Sequence, residues 1–469
     1  MPYPLEPDRG AMVELLSAVA SRAVRFVETL PDHPASPERA GPDAELLRRL
    51  LAPPSERPGD QAAILDLLDL AAANAVETAG PGYLAYVPGG GLFASAVADF
   101  YARATNRYVG LGMTAPGLCA LEWGVIRWLC EVIGLPAGAG GVLVSGGSTA
   151  TFAAIVAARE RLGDDLRRGT MYLTPQAHHS VAKAAHLAGL PAKALRYVPT
   201  DADLRMDVGA ARELIARDRS SGLRPFLLVG AAGTTNTGVV DPLADLAALA
   251  RAEDLWLHVD AAYGGFFQLT ERGRSRLAGI GEADSVVLDP HKSLFAPYGT
   301  GALLVRDLRA LQHAHAAEGD YLQDLKAVDV PDFASLGPEL TRESRGLRIW
   351  LPLQLHGVEA FRAALDEKLD LAEHAYARLA AEPRIETPWR PDLSIVGLRV
   401  RASTEAGADA AGRAVLERVN GLRRVFLSST SVDGRFTLRL AIVSHRTHLD
   451  IVDEAVDEIV AAVRELPPS

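Results

Sequence analysis

The sequence predicts an α/β protein: a mostly parallel sheet with helices on both faces, preceded by an N-terminal helical arm and followed by a small α+β domain. Three observations predict it. Seven short apolar runs, at 142–145, 171–174, 195–198, 226–230, 256–260, 285–288 and 302–305, have the length and bounding turn residues of buried strands. Most are separated by stretches with helical spacing, such as 152–162, 181–188, 208–217 and 242–252, and strands that alternate with helices pair in parallel. Polar clusters rich in Gly, His, Asp and Lys fall where the runs stop, which is where an open parallel sheet gathers its ligands.

The flanking pieces follow from the same periodicities. Met12, Leu15, Leu16, Val19, Val24 and Val27 recur at helix spacing, and 46–51 and 64–76 repeat the pattern across proline-bearing links at 31–42 and 53–58. So little chain cannot make its own core, so these apolar faces need cover from the rest of the chain or from a second subunit. A dimerisation arm is expected over 1–80. Turn chemistry then interrupts at Pro81-Gly82-Tyr83-Leu84-Ala85-Tyr86-Val87-Pro88-Gly89-Gly90-Gly91, with helices after it at 93–104 and 118–133. Beyond Val305 the chain reads as irregular to Leu336, a polar stretch long enough for a functional loop, and then as a long helix at 345–380. Strands at 395–400 and 436–442 alternate with helices at 408–419 and 449–466. The expected division is therefore an arm at 1–80, a large α/β domain at 81–355 and a small α+β domain at 356–469.

Composition narrows the class of function. Against 59 acidic residues stand 48 Lys and Arg, a net charge of −11 without long like-sign blocks, so neither nucleic acid nor an anionic membrane surface is an expected partner. No apolar run reaches the length of a membrane span, and residues 1–10 lack a basic patch followed by an apolar core, so a cytoplasmic protein is expected. The two cysteines, Cys119 and Cys130, share one helical segment, which suits a reducing compartment and forms no zinc-ligand cluster.

Lys292, in Leu288-Asp289-Pro290-His291-Lys292-Ser293, leaves a buried strand just ahead of Tyr298-Gly299-Thr300-Gly301. A lysine in that place is either a snorkelling surface residue or a desolvated amine that forms an imine with a carbonyl compound. Four other strand ends bear on the choice. Ser145-Gly146-Gly147-Ser148-Thr149 joins a strand to a helix and is either a tight turn or a phosphate seat. Gln176-Ala177-His178-His179-Ser180 puts two histidines at a helix start, as caps or as catalysts. Gly233-Thr234-Thr235-Asn236-Thr237-Gly238 is small and hydroxyl-rich. In His258-Val259-Asp260-Ala261-Ala262-Tyr263, Asp260 ends a strongly apolar strand, and a buried carboxylate requires a cation or a proton. Together these parts describe a receptor for pyridoxal 5'-phosphate: Lys292 for the aldehyde, Asp260 for the pyridinium, His178 and Ala262 for the ring, and Gly147, Ser148 and the Asp289 to His291 turn for the phosphate.

On Gln176-Ala177-His178, Gly233-Thr234-Thr235, His258-Val259-Asp260-Ala261-Ala262-Tyr263 and Pro290-His291-Lys292, the chain resembles the group II pyridoxal-phosphate-dependent decarboxylases of fold type I, most closely the aromatic L-amino acid branch. The resemblance covers nearly the whole chain, from the arm to Thr437-Leu438-Arg439-Leu440-Ala441-Ile442. It implies a homodimer with a fold type I transferase-like large domain. It also implies that Lys292 is the Schiff-base lysine, Asp260 the pyridinium partner, His178 the ring-stacking histidine, and Thr235 a neighbour of cofactor and substrate carboxylate. Tyr321 falls where the family carries the tyrosine of a mobile loop, the proton donor to Cα. Relatives with phenylalanine there are aldehyde synthases, so this tyrosine favours simple decarboxylation.

Tyr86, Val87 and Pro88 match the family's substrate-pocket segment, with departures. Val87 stands where the branch often has an aromatic ring and Gly89 where it often has a hydroxyl, which widens the pocket. Asp289 replaces an asparagine of some members and Ser293 a tryptophan. An aspartate beside a phosphate repels it unless turned away or protonated, which ranks Asp289 below His291 as a phosphate contact. The implied activity is decarboxylation of an L-amino acid, aromatic favoured, to the amine and carbon dioxide. Its rivals are decarboxylation coupled to oxidative deamination, another pyridoxal-phosphate carbon–carbon lyase or β-elimination, and a non-catalytic scaffold dimer.

Overall fold

The computed structural model describes residues 5–38, 41–316 and 328–467. Its centre is a seven-stranded sheet of β1 (Gly140–Val144), β2 (Gly169–Leu173), β3 (Leu195–Tyr197), β4 (Arg224–Ala231), β5 (Trp256–Asp260), β6 (Ser285–Leu288) and β7 (Gly301–Val305), in the order β1-β7-β6-β5-β4-β2-β3. Helices Gly147–Arg159, His179–Leu187, Val208–Ser220 and Leu243–Ala252 make the crossovers. The pairs β2–β3, β2–β4, β4–β5 and β5–β6 are parallel, as strands joined through helices must be, whereas β7 runs antiparallel to both β6 and β1. No α-helix separates β6 from β7, so the chain turns straight back, and the turn at 289–300 carries Lys292.

Every residue of β1, β2, β6 and β7 is buried, which is why these strands read as continuous apolar runs without alternation. β1 and β7 approach so closely at Gly141 that a Cβ there would strike the Leu303 carbonyl. Observed strand ends differ from the apolar runs by a residue or two, because ladder pairing rather than hydrophobicity ends a strand.

A second, four-stranded antiparallel sheet holds β8 (Ile385–Glu386), β9 (Ile395–Val400), β10 (Ser428–Val432) and β11 (Arg435–Ala441), in the order β10-β11-β9-β8. Helices Glu405–Gly421 and Leu449–Glu465 cover it, and Val396, Leu398, Leu438, Leu440, Val456 and Ile459 fill the core between. The helix Leu347–Ala380 serves both cores: Phe361, Leu365 and Leu369 enter the first, and Leu371, Ala375 and Leu379 the second. It is not straight. Pro352 lies inside it, and Gly357, at φ 72°, breaks the helical path in a region of φ that favours glycine.

Three elements escaped the periodicity reading. The stretch after Val305, expected to be irregular, begins with helix Leu308–His315, capped by the Asp307 carboxylate accepting from the Arg309 amide. β8 is only two residues long, and β10 is the polar edge Ser-Ser-Thr-Ser-Val, so neither carries an apolar signal. Helix Arg9–Thr29 has no buried residue and exposes Met12, Leu15, Leu16, Val19 and Val24, while Arg22 ties it to Asp66 and Asp69 of helix Gln61–Ala73. Among the described residues no helix is long and apolar enough to cross a membrane, and no group of three or more His, Cys, Asp or Glu could hold a metal ion.

Candidate active site

Where β1, β2, β4, β5 and β6 end, their following residues enclose a cleft of about 390 Å³ lined by Ser145, Gly146, Gly147, Ser148, Thr149, Thr151, His178, Ser180, Gly233, Thr235, Asp260, Ala262, Tyr263, Asp289, His291 and Lys292. Thus nine of the predicted residues, Gly147, Ser148, His178, Thr235, Asp260, Ala262, Asp289, His291 and Lys292, meet in one place. A larger hollow of about 570 Å³ lies by the arm, and Arg22, Phe26, His33 and Glu77 are among its walls, but none of the strand-end groups reaches it.

One end of the cleft is built for an anion. Helix Gly147–Arg159 begins there, and a helix start leaves its first amides available to an acceptor. Ser145 and Thr149 join hydroxyls at 2.9 Å, and the buried Thr151 Oγ1 has no hydrogen-bond partner. Opposite lies Asp289, only 3% exposed, wedged between two glycines: a Cβ on Gly147 would lie 2.9 Å from its Oδ2, and one on Gly301 3.0 Å from its Oδ1. Oδ2 meets Lys292 Nζ at 3.0 Å and His291 Nε2 at 3.6 Å, while the buried Oδ1 has no hydrogen-bond partner among the described residues. His291 Nδ1 donates to the Thr300 carbonyl at 2.6 Å, which assigns the proton of the neutral ring to Nδ1.

The other end is shaped for a flat cationic ring. Asp260 terminates β5, with Oδ1 accepting from the Ala262 amide at 3.2 Å, and the small Ala262 leaves room beside it. His178 caps helix His179–Leu187: its Nδ1 accepts from the Ser180 amide at 3.3 Å and the Ser180 hydroxyl at 2.7 Å, so the neutral ring carries its proton on Nε2. Burial lowers the His178 pKa below the ordinary imidazole value, opposed by Asp260 and aided by His179 and Lys292. Behind Asp260 on the same strand, His258 is fully buried. Trp256 Nε1 donates to Ser285 Oγ at 2.7 Å and that hydroxyl donates to His258 Nδ1 at 2.8 Å, leaving Nε2 buried without a partner. Burial pushes His258 down to about 4.

Tyr86, Val87 and Pro88, expected to meet the substrate, are not among the residues that line the cleft. Tyr86 is exposed, with a left-handed φ of 51°, Val87 is half-buried and Pro88 is buried. Gly89 presses on the His291 carbonyl so closely that a Cβ there would strike it. Tyr321 lies outside the described residues.

Sequence reasoning overlooked Arg439. It is 3% exposed on β11 and has no carboxylate partner among the described residues. Its Nε donates to the Asn236 carbonyl at 2.7 Å, Nη1 to Ser428 Oγ at 3.0 Å, and Nη2 to the carbonyls of Thr235 at 2.6 Å and Tyr86 at 3.2 Å. Burial pushes this guanidinium down to about 10. One residue of the small sheet therefore ties the Thr235 loop to the Tyr86 segment. The available signal was an arginine between the apolar Leu438 and Leu440 of β11. Tyr263, which lines the cleft and bonds Ser394 through its hydroxyl at 2.8 Å, was likewise seen only as part of a motif.

These groups fit pyridoxal phosphate: an amine, a carboxylate at a distinct end, a flat histidine, and a helix start facing orphaned polar atoms. The pyridoxal-dependent decarboxylase conserved domain matches residues 47–401. An aromatic-L-amino-acid decarboxylase of Bacillus atrophaeus is 34% identical over 392 residues, 82% of either chain. An L-2,4-diaminobutyrate decarboxylase of Rhizobium meliloti is 34% identical over 373 residues, covering 79% of this chain and 75% of that protein. Among solved structures, Oryza sativa TDC with PLP and tryptamine superposes with a TM-score of 0.92 over 99% of both chains at 26% identity.

The buried His258 makes stability depend on pH. Its value in the fold, about 4, lies below the ordinary 6.5, so between these the unfolded chain binds a proton that the folded chain refuses. Stability should fall as pH drops through this window, by roughly 3 kcal/mol from this residue. Urea unfolding at several pH values should show a shallower loss in His258→Gln than in the parent; identical pH slopes would contradict the assignment.

Proposed function

The chain belongs to the pyridoxal-dependent decarboxylase family, and from that membership together with the cleft we propose that it removes the α-carboxylate of an L-amino acid, aromatic side chains favoured, to release the amine and carbon dioxide. The observation that carries this is the convergence of Lys292, Asp260 and His178 on one cleft beside a helix start. Pyridoxal phosphate, when bound, supplies the electron sink for the pair left on Cα as carbon dioxide departs. Everything else falls to the protein.

Lys292 Nζ is the amine that tethers the cofactor. Asp260 keeps the pyridine nitrogen protonated, and its place at the end of an apolar strand makes that cation its natural partner. His178 and Ala262 bound the space for the ring, and His178 Nε2–H is free to donate because Nδ1 is committed to Ser180. Gly147, Ser148 and His291 hold the phosphate, with Asp289 behind them. Thr235 faces the substrate carboxylate, its loop steadied by Arg439. Tyr86, Val87 and Pro88, which lie outside the lining of this chain's own cleft, are read as the residues that meet the substrate side chain, and Tyr321 as the group that returns the proton to Cα.

We also infer a cytoplasmic homodimer whose arm, 1–80, packs on a second copy, with 81–355 and 356–469 as the large and small domains. The arm's exposed apolar face and the two buried free cysteines support this reading. The shared helix Leu347–Ala380 joins the two domains.

Light scattering should return twice the 49.8 kDa of one chain, and removal of residues 1–30 should lower that mass; a monomeric parent would count against the arm's role. Lys292→Ala should retain its fold by circular dichroism yet lose any borohydride-fixable cofactor; a fixed adduct in this variant would overturn the assignment of Lys292. Tyr321→Phe should divert product from amine to aldehyde with hydrogen peroxide. An unchanged amine yield would remove Tyr321 from the mechanism and weaken the case against the oxidative reading.

A further inference from the structure

The carboxylate of Asp289 poses a charge problem that the proposed function leaves unsolved. It is 3% exposed, and its oxygens lie where side chains at 147 and 301 would begin, against the anion seat itself. A buried carboxylate needs a cation or a proton. In the described structure the cation is the Lys292 ammonium at 3.0 Å. If Lys292 holds the cofactor, that partner is drawn off: the amine's lone pair would form the bond to the aldehyde carbon, the aldehyde oxygen would leave as water, and the one proton kept on the imine nitrogen would be shared with the ionised ring hydroxyl. A phosphate would then bring further negative charge to the same place.

The only other cation within ion-pair distance of Asp289 among the described residues would be a charged His291. Its ring is locked. Nδ1 donates to the Thr300 carbonyl, and Thr300 is itself held by Arg348, whose Nη1 reaches Thr300 Oγ1 at 3.1 Å and the Gly299 carbonyl at 3.0 Å. A neutral His291 therefore turns the Nε2 lone pair toward Asp289 Oδ2 at 3.6 Å, acceptor against acceptor. One proton would turn this opposition into a charge-assisted hydrogen bond. Groups facing from other elements do not supply it: Arg348 is committed to Asp99 and Glu343, Asp260 on β5 is itself a carboxylate, and burial disfavours the charged form of His178.

We propose that Asp289 and His291 form a proton-binding seat for the phosphate of the cofactor, in which a proton taken up on docking replaces the Lys292 ammonium as the partner of the buried carboxylate. This rests on the pyridoxal-phosphate reading above and deepens it. The aspartate, which would repel a phosphate as an anion, becomes a donor-bearing part of its site.

Calorimetry tests it by titrating cofactor-free enzyme with pyridoxal phosphate and with pyridoxal, in two buffers of different ionisation enthalpy, near pH 8. Both ligands consume the Lys292 amine alike, so their difference isolates the phosphate. The parent should take up about one proton more with pyridoxal phosphate than with pyridoxal. Asp289→Asn and His291→Asn should each lose that excess, and the affinity of Asp289→Asn relative to the parent should rise by up to about tenfold per pH unit above neutrality. If pyridoxal binds too weakly, the parent and Asp289→Asn are compared with pyridoxal phosphate alone. Retention of the extra proton in Asp289→Asn, or no excess in the parent, overturns the seat. Failure of the parent to develop a Lys292-dependent absorption band with pyridoxal phosphate would instead overturn the proposed function itself.

Discussion

A buried charge has to be matched where it lies, and this constraint organises the molecule around the turn between β6 and β7. Because β7 returns directly beside β6, the turn at 289–300 cannot drift away from the sheet. It brings Asp289, His291 and Lys292 against the start of helix Gly147–Arg159, and the glycines at 147 and 301 make the contact possible. Each ionic group there depends on another. The amine that is expected to do chemistry is also the partner of a buried carboxylate.

The same requirement recurs in the supports. Glu122 and Arg342, 0% and 1% exposed, pair at 2.5 Å, and Arg342 also donates to the Leu143 carbonyl at 2.8 Å, just ahead of the glycine-rich loop at 145–149. Taking one partner from such a pair typically costs about 3–5 kcal/mol, because the other stays buried and unmatched. Arg439 meets the constraint differently. Lacking a carboxylate among the described residues, it spreads its charge over three backbone carbonyls and a hydroxyl, and so couples the small sheet to the Thr235 loop and to Tyr86. The loops beside the cleft are thus braced from the second core. Asp260 stands apart, with only a backbone amide among its described hydrogen-bond partners, as a carboxylate awaiting a cation would.

Much of this was legible in the residues. Apolar runs placed all seven strands of the large sheet, most clearly β1, β2, β6 and β7, in which every residue is buried and little that is polar interrupts the run. The strand-end clusters named nine groups that line one cleft, because in a parallel sheet the carboxyl ends share a side. The misses also have physical causes. β8 and β10 lack apolar patterning, and Arg439 was invisible as a tether because its partners are mainly backbone carbonyls from residues distant in the chain.

The sequence by itself determined the chemistry on offer: an amine, a carboxylate, a flat histidine and a glycine-rich helix start, each tied to a strand end by local pattern. Only the tertiary structure decided how these groups constrain one another. That Asp289 faces both Lys292 and His291, that the Thr300 carbonyl sets the tautomer of His291, and that Ser180 sets that of His178 all depend on distances of a few ångströms. Local periodicity reports which face a residue occupies. It carries no information about which lone pair meets which proton once strands far apart in the chain lie side by side.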